Sequence, residues 1–232
     1  MIERIDSAVF GPVPSFVRLS GWAVGLDGTA PAASAARDEL ARASAAAVAR
    51  DDLEAAWRAA YADVGLPPAT VPPPAALRAW AATARGVPSQ GPLPDILNAV
   101  SLRHGVPTAA YDVAAIVGDL WLRPSRGCEG FTPLGAADGR PETVPINELI
   151  LVDSGDRTLA RSWHGAPGAQ AFVAPGCRAA LVHVDLLTPD GGTPPDAAAL
   201  AAEVADAVAR HLGGRLAWQR LTRAAPLARW DG

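Results

Sequence analysis

His183 and Asp185 stand two residues apart in RAALVHVDLL. Period-two alternation puts them on one strand face with Leu181 and Leu187, opposite Ala180, Val182, Val184 and Leu186. An imidazole titrating near neutrality beside a carboxylate can take a proton or orient a water. The same pair also suits the solvent face of a sheet. His164, in SWHGAPG, closes a strand and enters a Gly/Pro loop. Function concentrates in such loops, yet a turn histidine is also ordinary there. Trp163 beside it either walls a pocket or fills the core. Asn98 interrupts an apolar helix between Leu97 and Ala99. Its amide is either satisfied locally or aimed at a substrate carbonyl. Cys128 lies in PSRGCEGF, where arginines favour a thiolate, but no base adjoins it in sequence. Glu129 reads as a surface residue and Asp112 as a cap. His104 directly precedes Gly105 and His211 lies two residues before Gly213, each at a helix end, where a cation favours the dipole.

Whole chemistries are absent. The chain has 232 residues and no lysine, so Schiff-base catalysis and a Walker lysine are excluded. Two cysteines, Cys128 and Cys177, cannot build a thiolate metal cluster or a disulfide framework. GxGxxG after a strand, GxSxG, HExxH and an EF-hand loop are missing. No cofactor or metal is implied. A formal net charge of −4 argues against a generic nucleic-acid sponge but leaves room for a local arginine patch. No apolar run approaches the roughly 20 residues of a membrane span, and MIERIDSAVFGP lacks the pattern of a secretory signal. A cytoplasmic protein is expected.

The elements that must position these residues follow from periodicity. FVRLSGWAVGL (16–26) predicts a strand. Residues 32–63 predict helix in two pieces, with shorter helices over 75–84 and 93–104. After Asp112 short apolar runs alternate with turns. Strands are predicted in DLWLR, GFTPLG, NELILVDSGD, TLARSWHG, AQAFVAPG and RAALVHVDLL. A helix over 196–212 and a last strand over 214–222 close the chain. Helices in the first half and strands in the second argue for an α+β fold with mixed or antiparallel sheets. Without repeats or a long linker, one composite domain over 1–232 is expected.

The stretch PDILNAVSLRHGVPTAAYD (94–112) resembles the helix-loop segment of the editing, or B3/B4 tRNA-binding, domain of the phenylalanyl-tRNA synthetase beta chain. It is closer still to freestanding relatives of that domain. EAAWRAAYADVG, GDLWLRPSRGCEGFTPLG, NELILVDSGD and LARSWH agree in the same order, so the resemblance spans about residues 50–187. It implies an α+β fold around a cleft, with the aminoacylated 3′ end of a tRNA as ligand. In the synthetase the domain hydrolyses a wrongly attached amino acid, the second sieve of a double-sieve scheme.

Carried over by residue, the helix asparagine is retained as Asn98. The editing histidine falls on Ala109, and the editing glutamate falls on His183. The resemblance thus makes Asn98 and His183 catalytic candidates. Asp185 would set the tautomer of His183, and Thr108, Ala109, Tyr111, Trp163 and His164 would line the cleft. Arg123 and Arg161 are candidates for phosphate or carboxylate contact, or else pair with Glu148 or Asp153. Three functions follow: a metal-free aminoacyl-tRNA ester hydrolase acting by water positioning, a non-catalytic tRNA- or amino-acid-binding protein, or an aminoacyl-tRNA-dependent transferase.

Overall fold

The computed structural model describes residues 1–135 and 139–231. The chain opens with β1 (Ile2–Ile5), a helical turn α1 (Ser7–Phe10) and β2 (Val17–Val24). The helices α2 (Ala30–Ala45), α3 (Asp51–Asp63), α4 (Pro73–Ala81) and α5 (Pro92–His104) follow. Then come β3 (Thr108–Asp112), β4 (Leu120–Pro124), β5 (Gly130–Phe131), β6 (Glu142–Thr143), β7 (Leu149–Asp153), β8 (Thr158–Arg161), β9 (Ala166–Pro167) and β10 (Ala179–Leu186). The helix α6 (Ala197–Leu212) and strands β11 (Arg215–Leu221) and β12 (Leu227–Arg229) end the described chain.

The local rules are visible at the helix ends. Pro92 opens α5, and Gly105, at φ 68°, ends it in the left-handed conformation that a Cβ disfavours. Asp196 caps α6 by accepting from the Ala198 and Ala199 amides.

Two sheets and a helical layer stack in order, giving the expected α+β fold. One sheet has the order β12-β1-β4-β7-β8-β9, and the other β11-β2-β10-β3. Between them lies an apolar core that includes Ile5, Leu120, Leu122, Leu151, Leu181, Leu187 and Trp163. On the far face of the four-stranded sheet, Val182 and Val184 pack with Ile96, Leu97 and Val100 of α5 and Val204 and Val208 of α6. The central strand β10 therefore has no wet face. His183 and Asp185 are 2% and 1% exposed, which excludes the solvent-facing alternative.

Several expectations are corrected. AQAFVAPG forms turns and irregular chain after β9 rather than a strand, ending in the turn of Pro175 and Gly176, although Ala171 still accepts a hydrogen bond from the Asp112 amide. TAAYD is strand β3 rather than loop, and β12 follows the strand expected to be last. Glu129 is fully buried instead of exposed. Asp112 does cap, accepting from the Ala114 amide.

Gly21 marks a close approach. A Cβ there would sit 2.6 Å from the Trp218 ring, which its indole N–H fixes to the Ala201 carbonyl. Gly21→Ala is expected to destabilise the fold by about 1–3 kcal/mol, read as a lower urea midpoint at unchanged slope. An unchanged midpoint would show that Trp218 yields freely.

Candidate functional site

The free edge of β3 runs into a pocket of about 340 Å³. Val71, Leu77 and Trp80, from α4 and the turn before it, form one wall with Leu97 and Asn98 of α5. His164, Gly165, Pro167 and Phe172 form the other, and Thr108 to Tyr111 run between the two. None of the lining residues carries a fixed charge, and no arginine borders the pocket. Trp80 stands half-exposed among the lining residues.

Hydrogen-bond phase fixes what the edge offers. In an antiparallel ladder the residues that bond the neighbouring strand alternate with residues that face away. The Asp185 amide donates to the Pro107 carbonyl, and His183 and Leu181 pair with Ala109 and Tyr111. Residues 107, 109 and 111 therefore serve β10. Thr108, Ala110 and Asp112 point their N–H and C=O outward, and the Asp112 amide meets Ala171 O at 2.9 Å. The backbone groups of Thr108 and Ala110 have no such partner among the described residues. The Asn98 side chain is half-buried and makes no hydrogen bond with the described residues. Thr108 Oγ1 donates to Leu97 O at 3.1 Å.

His164 is presented by a strained bend. After β8, Ser162 and Trp163 take φ 49° and 63°, a conformation that costs non-glycine residues energy and persists only when the surroundings over-determine it. Glu148 accepts from both the amide and the hydroxyl of Ser162, and the Trp163 amide donates to Leu149 O at 2.7 Å. Trp163 is thereby buried against Phe16, Trp57 and Tyr61, behind the pocket rather than lining it.

The imidazole of His164 has both nitrogens engaged. Nε2 lies 2.5 Å from Asp185 Oδ2, and Nδ1 lies 3.1 Å from the Tyr61 hydroxyl. Burial lowers the His164 pKa, against the pull of Asp185, so the ring is neutral at pH 7. Because an ionised carboxylate only accepts, Nε2–H donates to Asp185 and Nδ1 accepts from Tyr61. Burial, with Asp185 nearby, pushes the Tyr61 hydroxyl well above its ordinary pKa. No lone pair of this ring is left for a bound ligand.

Behind His164 a chain of charges runs between the sheets. Arg18 grips Asp185 through two bonds, 2.7 and 2.6 Å, and reaches Glu3 Oε1 at 3.2 Å. Glu3 also accepts from Ser20 at 2.5 Å and lies 3.1 Å from His183 Nε2. Burial opposes ionisation of Glu3, but His183, Arg18 and Ser20 outweigh it and bring the carboxyl down to about 2. Burial likewise opposes the Asp185 carboxylate. Arg18 and His164 more than offset it and hold Asp185 well below the usual range.

The structure thus brings together Asn98, Thr108, Ala109, Tyr111 and His164 around one pocket. It does not bring His183 there. That side chain pairs across the ladder with Ala109, one strand behind the pocket, and faces Glu3. Asp185 orients His164 instead of His183. Arg123 and Arg161 lie away from the pocket and are both ion-paired, Arg161 with the expected Glu148 and Arg123 with neither Glu148 nor Asp153. Arg123 binds Glu129 at 2.5 Å, and Arg161 binds Glu148 and Glu142, each at 2.7 Å. Glu129 also accepts from the Arg126, Gly127 and Cys128 amides. Sequence reasoning missed Tyr61, Arg18 and Glu3. The signal for Arg18 was its alternation with Ser20 in VRLSGWAV, which matches the polar positions of β10. Among the described residues, no group of three His, Cys, Asp or Glu side chains could hold a metal ion. No described helix is long and apolar enough to cross a membrane.

The chain is similar in part to known proteins. Residues 56–167 match the family described as "B3/4 domain", a span that holds every pocket residue except Phe172. A phenylalanine--tRNA ligase beta subunit from Shewanella oneidensis is 37% identical over 68 residues, covering 29% of this chain and 8% of that protein. An N-terminal fragment of the phenylalanyl-tRNA synthetase beta-subunit from Pyrococcus horikoshii superposes with a TM-score of 0.49 at 12% identity. That superposition covers 92% of this chain and 49% of the fragment. Residues 56–167 are thus the part of the chain that is similar to the B3/4 domain family, and they hold nearly all of the pocket.

Proposed function

We propose that the pocket binds the aminoacyl group on the 3′ end of a tRNA and that the protein hydrolyses the ester. One observation carries this reading. An uncharged pocket, inside the B3/4 span, opens on hydrogen-bonding groups that no described residue satisfies: the Asn98 amide and the outward backbone of Thr108 and Ala110. Such a pocket suits an apolar side chain whose acyl carbonyl needs donors. An aminoacyl ester is already reactive, so placing water and stabilising the developing oxyanion suffice. Water adds to the acyl carbon and the bond to the ribose oxygen breaks. One proton of the water goes to the ribose oxygen, and the amino acid leaves as its carboxylate while the other proton passes to solvent. Asn98 places the water or the carbonyl. His164, held by Asp185 and Tyr61, is a positioning residue that shapes the wall.

A second reading is a binding protein without turnover. It is favoured by the engagement of both His164 nitrogens, which leaves the pocket without a free base.

One assay separates the two. A panel of tRNAs, each carrying a correct or incorrect amino acid, is incubated with wild type and Asn98→Ala, and release of free amino acid is followed. Wild type is expected to accelerate release from at least one substrate, and Asn98→Ala to lose roughly 10- to 100-fold of that acceleration. Release no faster than in buffer from every tRNA, together with saturable, salt-dependent binding, selects the binding reading. Neither release nor binding overturns both.

A further inference from the structure

The pocket floor is a sheet edge that stops short of its next partner. Along β3 the outward row of backbone groups is used at Asp112, whose amide donates to Ala171 O at 2.9 Å, and has no partner among the described residues at Ala110 and Thr108. Ala110 presents both a donor and an acceptor to the same side. An amino-acid residue in extended conformation offers the complementary pair, its N–H and C=O pointing one way. An aminoacyl group carries these two functions, an α-amino group and an acyl oxygen. None of the lining residues is acidic, so a bound α-ammonium finds no carboxylate there, only neutral acceptors such as backbone carbonyls, side-chain amides and hydroxyls.

We propose that Ala110 reads the main chain of the ligand: its N–H donates to the acyl oxygen, and its C=O accepts from the α-amino group. The bound amino acid adds to β3 as a one-residue strand, in line with Ala171. This deepens the aminoacyl-site reading and rests on it. It makes the free α-amino group, rather than the side chain, the feature that the edge selects. It also sets the acyl carbon between the Ala110 N–H and the α5 wall that carries Asn98. Acyl groups without nitrogen are rejected because they leave the Ala110 carbonyl unpaired beneath them.

The test deletes each half of the pair separately. The probe is 3′-amino-3′-deoxyadenosine carrying L-phenylalanine through an amide, which the protein cannot hydrolyse as an ester. Its comparator carries 3-phenylpropionate, which lacks only the amino group. Calorimetric titration of wild type is expected to show the phenylalanyl probe binding roughly 10- to 100-fold more tightly. Ala110→Pro removes the outward N–H without touching the ladder to β10, a position where an edge strand tolerates proline. It is expected to weaken the phenylalanyl probe by roughly 10-fold with its thermal midpoint near that of wild type. Equal binding of both probes to wild type overturns the edge proposal and leaves the aminoacyl pocket standing. So does wild-type affinity in Ala110→Pro combined with loss of discrimination in Asn98→Ala, which moves the amino group to the Asn98 amide. Binding of neither probe overturns the pocket reading as well. If Ala110→Pro does not fold, the comparison of the two probes on wild type decides.

Discussion

Arg18→Met is expected to cost about 3–5 kcal/mol of stability, because it removes the guanidinium that bonds both Glu3 and Asp185 and leaves their charges facing each other. All three side chains are at most 2% exposed, so water cannot replace the guanidinium. Arg18 is the only described residue that bonds both carboxylates, through distances of 2.6, 2.7 and 3.2 Å. The loss is read as a lower urea midpoint. A second variant, Arg18→Met with Asp185→Asn, removes one of the stranded charges and should lose less than the sum of the two single changes. Additive losses would mean that the carboxylates do not feel one another. An unchanged midpoint for Arg18→Met would mean that the charges are not confined between the sheets.

Acid should destabilise the protein in two stages. His164 has a lowered pKa in the folded state, so the unfolded chain takes up its proton first. Stability from this group is complete above the ordinary histidine range and declines as pH falls below about 6.5. The larger stage belongs to the carboxylates. Glu3 and Glu129 are each brought from 4.5 to about 2, and Asp185 is also lowered. For Glu129 burial opposes the shift, while the Arg126 amide and the Arg123 guanidinium prevail. The unfolded chain protonates these groups near their ordinary values. Their contribution is therefore full above about pH 5 and is lost between there and the folded-state values. Glu3 alone should account for on the order of 3 kcal/mol across that window. Urea midpoints measured at unit pH steps from 7 to 3 check this. A flat profile between pH 5 and 3 would contradict the buried network. Glu3→Gln should flatten the lower stage and leave the upper one in place.

Periodicity located most of the fold. The strand over 16–26, the split helix before Gly65, the helices ending at Gly105 and Gly213, and the strand carrying His183 all stand within a few residues of expectation. The reason is local: caps, left-handed glycines and period two act within a few residues. The burial of β10 was not local. Its polar residues suggested water, but Arg18 and Ser20 oppose Asp185 and His183 across β2, and Glu3 arrives from the other sheet. Arg18 and Asp185 alone stand 167 residues apart along the chain. The site was legible in part for the same reason. Asn98 and residues 108–111 share one stretch of sequence and one pocket. His164 has partners 103 and 21 residues distant, and nothing near it in sequence names them. The alternation that paired His183 with Asp185 on a face was right. It could not say that one would reach toward the pocket wall and the other toward β1.

The first strand has an outsized part in assembly. β1 lies between β12 and β4, and the Met1 and Trp230 backbones bond each other in both directions, at 2.8 and 2.9 Å. Glu3 sits on that strand. The strand that carries the negative partner of Arg18 and His183 is thus flanked on both sides only when segments more than two hundred residues apart have met. Nucleation cannot begin there, since closing so long a loop early is entropically unfavourable. The zipper of β12 onto β1 belongs late in folding, and clipping residues 227–229 would strip a flank from the strand that balances the interior charge.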